Sequence, residues 1–199
     1  ALKTLQDLAH FHRAKFNIPI LGITGSNGKT TTKELIAEVL KTKYKTHFTK
    51  GNYNNHIGVP LTLLEMPLDT EIAIIEMGAN HLKEIEFLCN IAKPDYGYIT
   101  NFGKAHLEGF GSLEGVIRGK TELYNYLIAN NKHIFINADD EIQMEKLGAY
   151  VKKDGFTQRK GDYYNIKLLE ANPFVKLNSI PYLGNSCFMK LRVPPYKSS

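Results

Sequence analysis

The chain has 199 residues, 43% hydrophobic and 23% charged, with a formal net charge of +5. That composition supports one packed core and excludes a disordered or fibrous chain. The basic residues are spread along the sequence, so the charge suits a nucleotide or other phosphate as well as nucleic acid, and Cys89 and Cys187 lie too far apart for a disulfide framework or metal-ligand spacing.

At the N-terminus Leu2, Leu5, Leu8, Ala9 and Phe16 recur in a helix-like rhythm broken by charges, without the apolar block of a signal peptide. No apolar run approaches the ~20 residues needed to span a bilayer, so a cytoplasmic protein with no membrane partner is expected. "IPILGIT" reads as a buried strand, and "TTKELIAEVLKT" as a helix with Leu35, Ile36, Val39 and Leu40 facing inward. Residues 45–49 form a short strand; after the polar loop "KGNYNNHIG", "VPLTLLEM" suits a short helix with Pro60 in its first turn. "EIAIIEMG" is the clearest buried strand, and "NHLKEIEFLCNIAK" is helical in period and stops before Pro94. "DYGYITN" is a further strand, followed by the glycine-rich loop "FGKAHLEGFG". Ser112 then caps one long helix, "LEGVIRGKTELYNYLIAN". "KHIFINADD" is a strand ending in a turn, and "EIQMEKLG" a short helix.

Strands alternating with helices imply right-handed βαβ units, hence an α/β fold with a mostly parallel sheet flanked by helices. Sites in such sheets lie at the carboxyl ends of the strands. The unusual residues gather there: residues 25–30, Glu76, residues 101–106 and Asn137. From Asp154 the pattern weakens into a small β-rich excursion, and the last twenty residues have no usable period. The chain divides into a lead-in helix (1–16), an α/β core (17–157) and a partial β-rich segment with an atypical tail (158–199).

Between the first strand and its helix stand Gly25, Ser26, Asn27, Gly28, Lys29 and Thr30. A glycine-rich turn aims successive N–H groups and the positive end of a helix dipole at one point, which is an anion site. Lys29 would reach the outer phosphates and the Thr30 hydroxyl would hold Mg²⁺. The G-x-x-x-x-G-K-[ST] pattern fails by one position, because Ile23 occupies the place of the first glycine; the shorter G-x-x-G-K-T remains, in strand–turn–helix context. A metal on a triphosphate needs an acidic group at another strand's end, and Glu76 qualifies. Asn52, Asn54 and Asn55 suit a turn held by side-chain bonds to backbone, and Asp139 and Asp140 suit caps for the following helix. Taken alone, Lys120 reads as a surface lysine paired with a nearby glutamate.

With "GITGSNGKTTTKE", "GNYNNHIGVPLT", "IIEMGANH", "PDYGYITNFGKAHLEGFGS" and "NADD" in this order, the chain resembles the muramyl-peptide (Mur) ligases over roughly residues 1–175, the central ATP-binding domain of that family. The "GNYNN" and "AHLEGFGS" loops are similar to the branch that adds D-alanyl-D-alanine. The resemblance implies an ATP-dependent amide ligase of peptidoglycan synthesis, acting through an acyl phosphate. Its substrates would be UDP-N-acetylmuramoyl-tripeptide and D-alanyl-D-alanine, with no nucleic-acid partner.

By the same resemblance, residues Gly25 to Thr31 and Asn137 bind ATP, and Lys29, His106 and Lys120 are catalytic. Thr30 and Glu76 hold one Mg²⁺, His106 holds a second supported by Lys120 as a carbamate, and Asn52, Asn54 and Asn55 face the peptide substrate. Lys83 stands where the family generally has glycine, and Gly119 where it has alanine. The family's N-terminal UDP-sugar domain and C-terminal domain have no counterpart here, so the chain reads as a monomeric fragment. Another phosphate-loop hydrolase and a non-catalytic ATP-binding remnant are the competing readings; the N-K-x-D guanine motif is absent.

Overall fold

In chain order the elements are α1 (Leu2–Arg13), β1 (Ile20–Thr24), α2 (Lys29–Leu40), β2 (Thr46–Phe48), α3 (Gly58–Leu64), β3 (Ile72–Glu76), α4 (Glu84–Ala92), β4 (Tyr96–Ile99), α5 (Leu107–Phe110), α6 (Leu113–Lys120), α7 (Glu122–Ala129), β5 (His133–Asn137), α8 (Glu141–Leu147), β6 (Lys153–Thr157), β7 (Tyr164–Glu170), β8 (Val175–Ile180) and β9 (Cys187–Leu191). They come from a computed structural model that describes residues 1–103, 107–159, 162–170, 175–180 and 187–191. The strands form one sheet in the order β2-β3-β1-β4-β5-β6-β7-β8-β9. Pairing is parallel from β2 through β7 and antiparallel at β7-β8-β9. The expected mostly parallel α/β sheet is therefore present. Among the described residues no helix is long and apolar enough to cross a membrane.

β1 lies between β3 and β4, so the strand order reverses there and the loop after β1 opens into a crevice at the carboxyl edge. Side chains alternate across the sheet. Ile20, Ala73, Ile75, Ile99, Ile134 and Ile136 enter the core on one face, and Leu21, Ile23 and Ile74 pack on the other with Ala37 of α2. Burial on both faces explains why β1 and β3 read as unbroken apolar runs.

The structure differs from the sequence expectation in four respects. α2 is slightly rotated: Ile36 and Leu40 pack inward as expected, but Val39 is 51% exposed, while Lys33 and Ala37 are buried. Lys29, Lys33 and Ala37 follow one another at four-residue spacing, so the row that turns Lys29 toward the site also turns Lys33 inward. The long helix after Ser112 divides at Thr121, whose hydroxyl donates to the carbonyls of Ile117 (2.8 Å) and Arg118 (3.0 Å); the Ser112 cap is present, its Oγ accepting from Gly115 N at 3.0 Å. The helix expected from Asn80 begins at Glu84, because Glu84 Oε2 accepts from Asn80 N (2.6 Å) and His81 N (3.0 Å) and holds the preceding loop. β6 and β9 lie where no strand pattern was legible. The buried residues of β6 are Gly155 and Thr157, which leaves no apolar alternation to read.

Candidate functional site

The loop after β1 is built by two glycines and clamped by its neighbour. Gly25 has φ 138° and Gly28 φ 76°, conformations that a side chain opposes. Ser26 N donates to Asn101 O (3.1 Å), Ser26 Oγ to Gly103 O (2.9 Å) and Asn27 N to Asn101 Oδ1 (3.2 Å). Thr100 Oγ1 (2.6 Å) and Asn101 Nδ2 (3.0 Å) both donate to Asn27 O. The loop is thus fixed against the end of β4, and the first amides of α2, which have no intrahelical carbonyl to meet, point with the helix dipole into the crevice. Lys29 folds back over this loop, its Nζ donating to Gly25 O (2.8 Å) and Ser26 O (3.2 Å). Burial holds its pKa below the ordinary lysine value, against the opposing pull of Glu76. Thr31 is exposed on the first turn of α2.

Glu76, at the end of β3, is 1% exposed. Its Oε1 accepts from Thr30 Oγ1 (3.2 Å) and Asn54 Nδ2 (2.8 Å), and its backbone N donates to Thr49 Oγ1 (3.0 Å). Its Oε2 faces Lys33 Nζ at 3.7 Å, and neither atom has a hydrogen-bond partner among the described residues. Sequence reasoning singled out Thr30 and Glu76, which the fold brings together, but passed over Lys33. The available signal was its position four residues after Lys29 on a helix whose first turn faces the site.

The asparagine loop is only partly directed at the site. Asn54 holds Glu76, and Gly78 permits this, since a Cβ there would lie 2.8 Å from Asn54 Oδ1. Asn55 Oδ1 instead accepts from Ile57 N (3.0 Å) and Gly58 N (2.9 Å) at the start of α3, and Asn52 is exposed. A cleft of about 680 Å³ opens beside Lys29 between this loop and the β3–α4 connection, lined by Asn54, Asn55, His56, Gly78 and Asn80 among others.

Lys120 is a buried residue, not the surface lysine that its sequence alone suggests: it is 1% exposed, donates from Nζ to Ala79 O (2.9 Å) and lies over the Phe110 ring at 5.1 Å. Burial first, and then the charge of Lys29, push its pKa down to about 8 against the opposing charges of Glu84 and Glu122. Glu122 accepts from Lys83 N (2.6 Å) and Glu86 N (3.0 Å), fixing the start of α4 where Lys83 takes φ 71°. A positive φ explains why glycine serves at that position in the resemblance noted above. His106 lies outside the described residues.

At the end of β5, Asn137 Oδ1 accepts from Asp139 N (3.1 Å) and closes a turn. Asp140 caps α8, accepting from Ile142 N (3.0 Å) and Gln143 N (3.2 Å). Asp139 does not cap; it accepts from Thr157 Oγ1 (2.6 Å) and Gln158 N (2.7 Å) and ties this turn to β6. Gln143, fully buried and not singled out in the sequence, joins Tyr124 OH (3.0 Å), Asn137 N (3.1 Å) and Ile99 O (3.0 Å) beneath the same edge.

Residues 23–180 match the Mur ligase middle domain. The chain belongs to the Mur ligase family. The UDP-N-acetylmuramoyl-tripeptide--D-alanyl-D-alanine ligase of Bacillus subtilis (strain 168) is 40% identical over 194 residues, covering 92% of this chain and 41% of that relative. The enzyme of the same name from Escherichia coli (strain K12) is 42% identical over 134 residues, covering 67% of this chain and 29% of the relative. Among solved structures, MurF ligase from Thermotoga maritima in complex with ADP superposes with a TM-score of 0.85 at 31% identity, covering 96% of this chain and 44% of that one. MurF from Acinetobacter baumannii gives 0.84 at 32% identity, with 96% and 42% covered. This Mur ligase chain therefore spans less than half the length of these relatives. Its motifs "GITGSNGKTTTKE" and "IIEMGANH" form the loop, Thr30 and Glu76 described above, and the family resemblance read from them holds.

Proposed function

We propose that the chain is the ATP-binding part of a ligase that joins D-alanyl-D-alanine to UDP-N-acetylmuramoyl-tripeptide in the cytoplasm, in the synthesis of peptidoglycan precursors. The observation that carries this reading is the convergence of a clamped glycine loop, Lys29, Thr30 and the buried Glu76 carboxylate at one carboxyl edge of a parallel sheet. The ADP complex of the Thermotoga maritima relative supports nucleotide binding by this chain.

The residues fit magnesium. Thr30 and Glu76 offer hard oxygen donors, and Glu76 Oε2 is buried without a hydrogen-bond partner among the described residues. Magnesium characteristically takes one or two protein oxygens and fills its shell with phosphate and water. Among the described residues no cluster of three acidic, histidine or cysteine side chains forms an all-protein cage. When bound, the ion supplies neutralisation of the charge that develops on the transferred phosphoryl group. By the family resemblance, His106 and Lys120 would hold a second magnesium.

The chain's own groups then act as follows. Lys29 leaves the Gly25 and Ser26 carbonyls for the outer phosphate oxygens, and the amides at the start of α2 hold the remaining phosphate charge. The γ-phosphoryl group passes from ATP to a carboxylate oxygen of the tripeptide, and ADP leaves. The amino nitrogen of D-alanyl-D-alanine attacks the activated carbonyl carbon, phosphate departs, and the nitrogen loses its proton. Asn54 keeps Glu76 in place throughout. The test is direct: full-length protein supplied with ATP and both substrates yields the pentapeptide product, ADP and phosphate by mass spectrometry. Binding of Mg-ATP without any product would overturn the ligase reading.

Lys120 acts as a carbamate in this scheme. A neutral amine adds CO₂ and releases one proton, so formation rises with pH through the amine's pKa. Because burial lowers that pKa to about 8, Lys120 carries much more neutral amine near neutrality than an ordinary lysine does. Under fixed ¹³CO₂ pressure, a carbamate carbon signal should grow between about pH 7 and 9, before exposed lysines contribute. It should vanish in Lys120→Met. A signal unchanged by that substitution would remove the assignment.

A further inference from the structure

We infer that Lys33 is a positioning residue that aligns the Glu76 carboxylate for the magnesium-bound nucleotide. The inference rests on the reading of Glu76 as a magnesium ligand. Lys33 is fully buried on α2, one turn after Lys29. Its ammonium lies 3.7 Å from Glu76 Oε2 and 3.0 Å from Oε1 of the half-exposed Glu34, and 5.7 Å from the centre of the Phe48 ring. A lysine and a glutamate buried only to support the fold satisfy their hydrogen bonds, because an unmet buried charge is costly. Here Lys33 Nζ and Glu76 Oε2 are both without hydrogen-bond partners among the described residues. Among the described residues only His12 Nε2 is placed likewise, and such orphans call for a reason.

The distribution of contacts on Glu76 supplies one. Thr30 and Asn54 both donate to Oε1, so hydrogen bonding constrains a single oxygen. The terminal torsion of a glutamate is broad and nearly two-fold, and contacts to one oxygen leave the other free to swing. Lys33 provides a fixed cation on the Oε2 side and breaks that symmetry. It stands close enough to orient the carboxylate, yet without the hydrogen bond that would occupy the oxygen. The glycine loop and Lys29 bind phosphate through other groups, so loss of Lys33 should weaken the metal's contribution and spare the rest.

The experiment measures ADP binding to the 199-residue chain by calorimetry, once with magnesium and once with excess EDTA. In the wild-type chain magnesium should tighten ADP binding about tenfold, equivalent to about 1.4 kcal/mol. In Lys33→Met that gain should fall to about twofold or less, with the metal-free affinity kept within about twofold of wild type. Adding Lys33→Met to Glu76→Gln should change the gain no further, as expected for residues acting as a unit. Lys33→Gln carries the same test if the methionine variant does not fold. A wild-type magnesium gain in a folded Lys33 variant would overturn the inference, as would an equal loss of affinity with and without metal, which marks a structural role. A wild-type chain that binds ADP with no magnesium gain would overturn the reading of Glu76 itself, and this inference with it.

Discussion

Replacing Lys29 with alanine should weaken Mg-ATP binding by roughly a hundredfold, about 3 kcal/mol, the scale on which a desolvated charge partner is lost. Its Nζ is held over the loop by the Gly25 and Ser26 carbonyls, where burial keeps water away and strengthens its attraction to a phosphate. The same burial makes the cation a burden to the free protein. With the folded pKa lowered, the unfolded chain binds more protons, so this group's contribution to stability is unfavourable near neutrality and is relieved as pH rises through the folded pKa toward the unfolded value. Lys29→Ala should therefore lose nucleotide without losing melting temperature, since the bonds that clamp Ser26 and Asn27 to residues 100–103 do not involve it. Calorimetry and thermal melting on the same sample separate the two effects. Unchanged affinity would remove the phosphate-loop assignment, and parallel loss of affinity and stability would make Lys29 a structural residue.

What was legible in the sequence was whatever a local period or a short motif carries. β1 and β3 announce themselves because strands buried on both faces are apolar nearly throughout, and β4 and β5 because their buried residues alternate with more exposed ones at strand period. The phosphate loop announces itself because only a few residue types suit its backbone. Lys33 and Lys120 were illegible as buried residues because their surroundings come from distant segments. Lys120 donates to Ala79 O, forty-one positions away, and Lys33 faces Glu76 of β3 and Phe48 of β2. A lysine on a helix reads as solvated; the spacing from Lys29 marks the helix face of Lys33, but not what a distant segment lays against it. The rotation of α2 has the same origin. Counting apolar residues turns Val39 inward, whereas the fold turns the Lys29–Lys33–Ala37 row inward because the loop before it fixes the helix's start. Asp139 shows the converse, since a side chain that reads as a helix cap is spent on a strand contact.

Gly25→Ala should destabilise the chain by roughly 3–5 kcal/mol, combining strain at an unfavourable φ with overpacking. Its φ is 138°, and a Cβ at this position would lie 2.0 Å from Thr100 Oγ1 and 3.0 Å from Thr100 N. Neither neighbour can retreat freely: Thr100 N is bound to Thr24 O at 2.9 Å, and Thr100 Oγ1 donates to Asn27 O. Relief therefore requires the loop to leave the end of β4, which unclamps Asn27 and turns the α2 amides away from the crevice. A melting-temperature drop of roughly 10 °C with loss of ADP binding is expected. Gly28→Ala provides the contrast. Its φ of 76° also resists a side chain, but a Cβ there meets nothing within 4 Å, so the cost should be about 1–2 kcal/mol. Should the two variants melt alike, backbone strain alone governs the loop and the contact with Thr100 does not hold it. If Gly25→Ala keeps both its melting temperature and its ADP affinity, the clamp between the β1 and β4 loops is not what shapes the site.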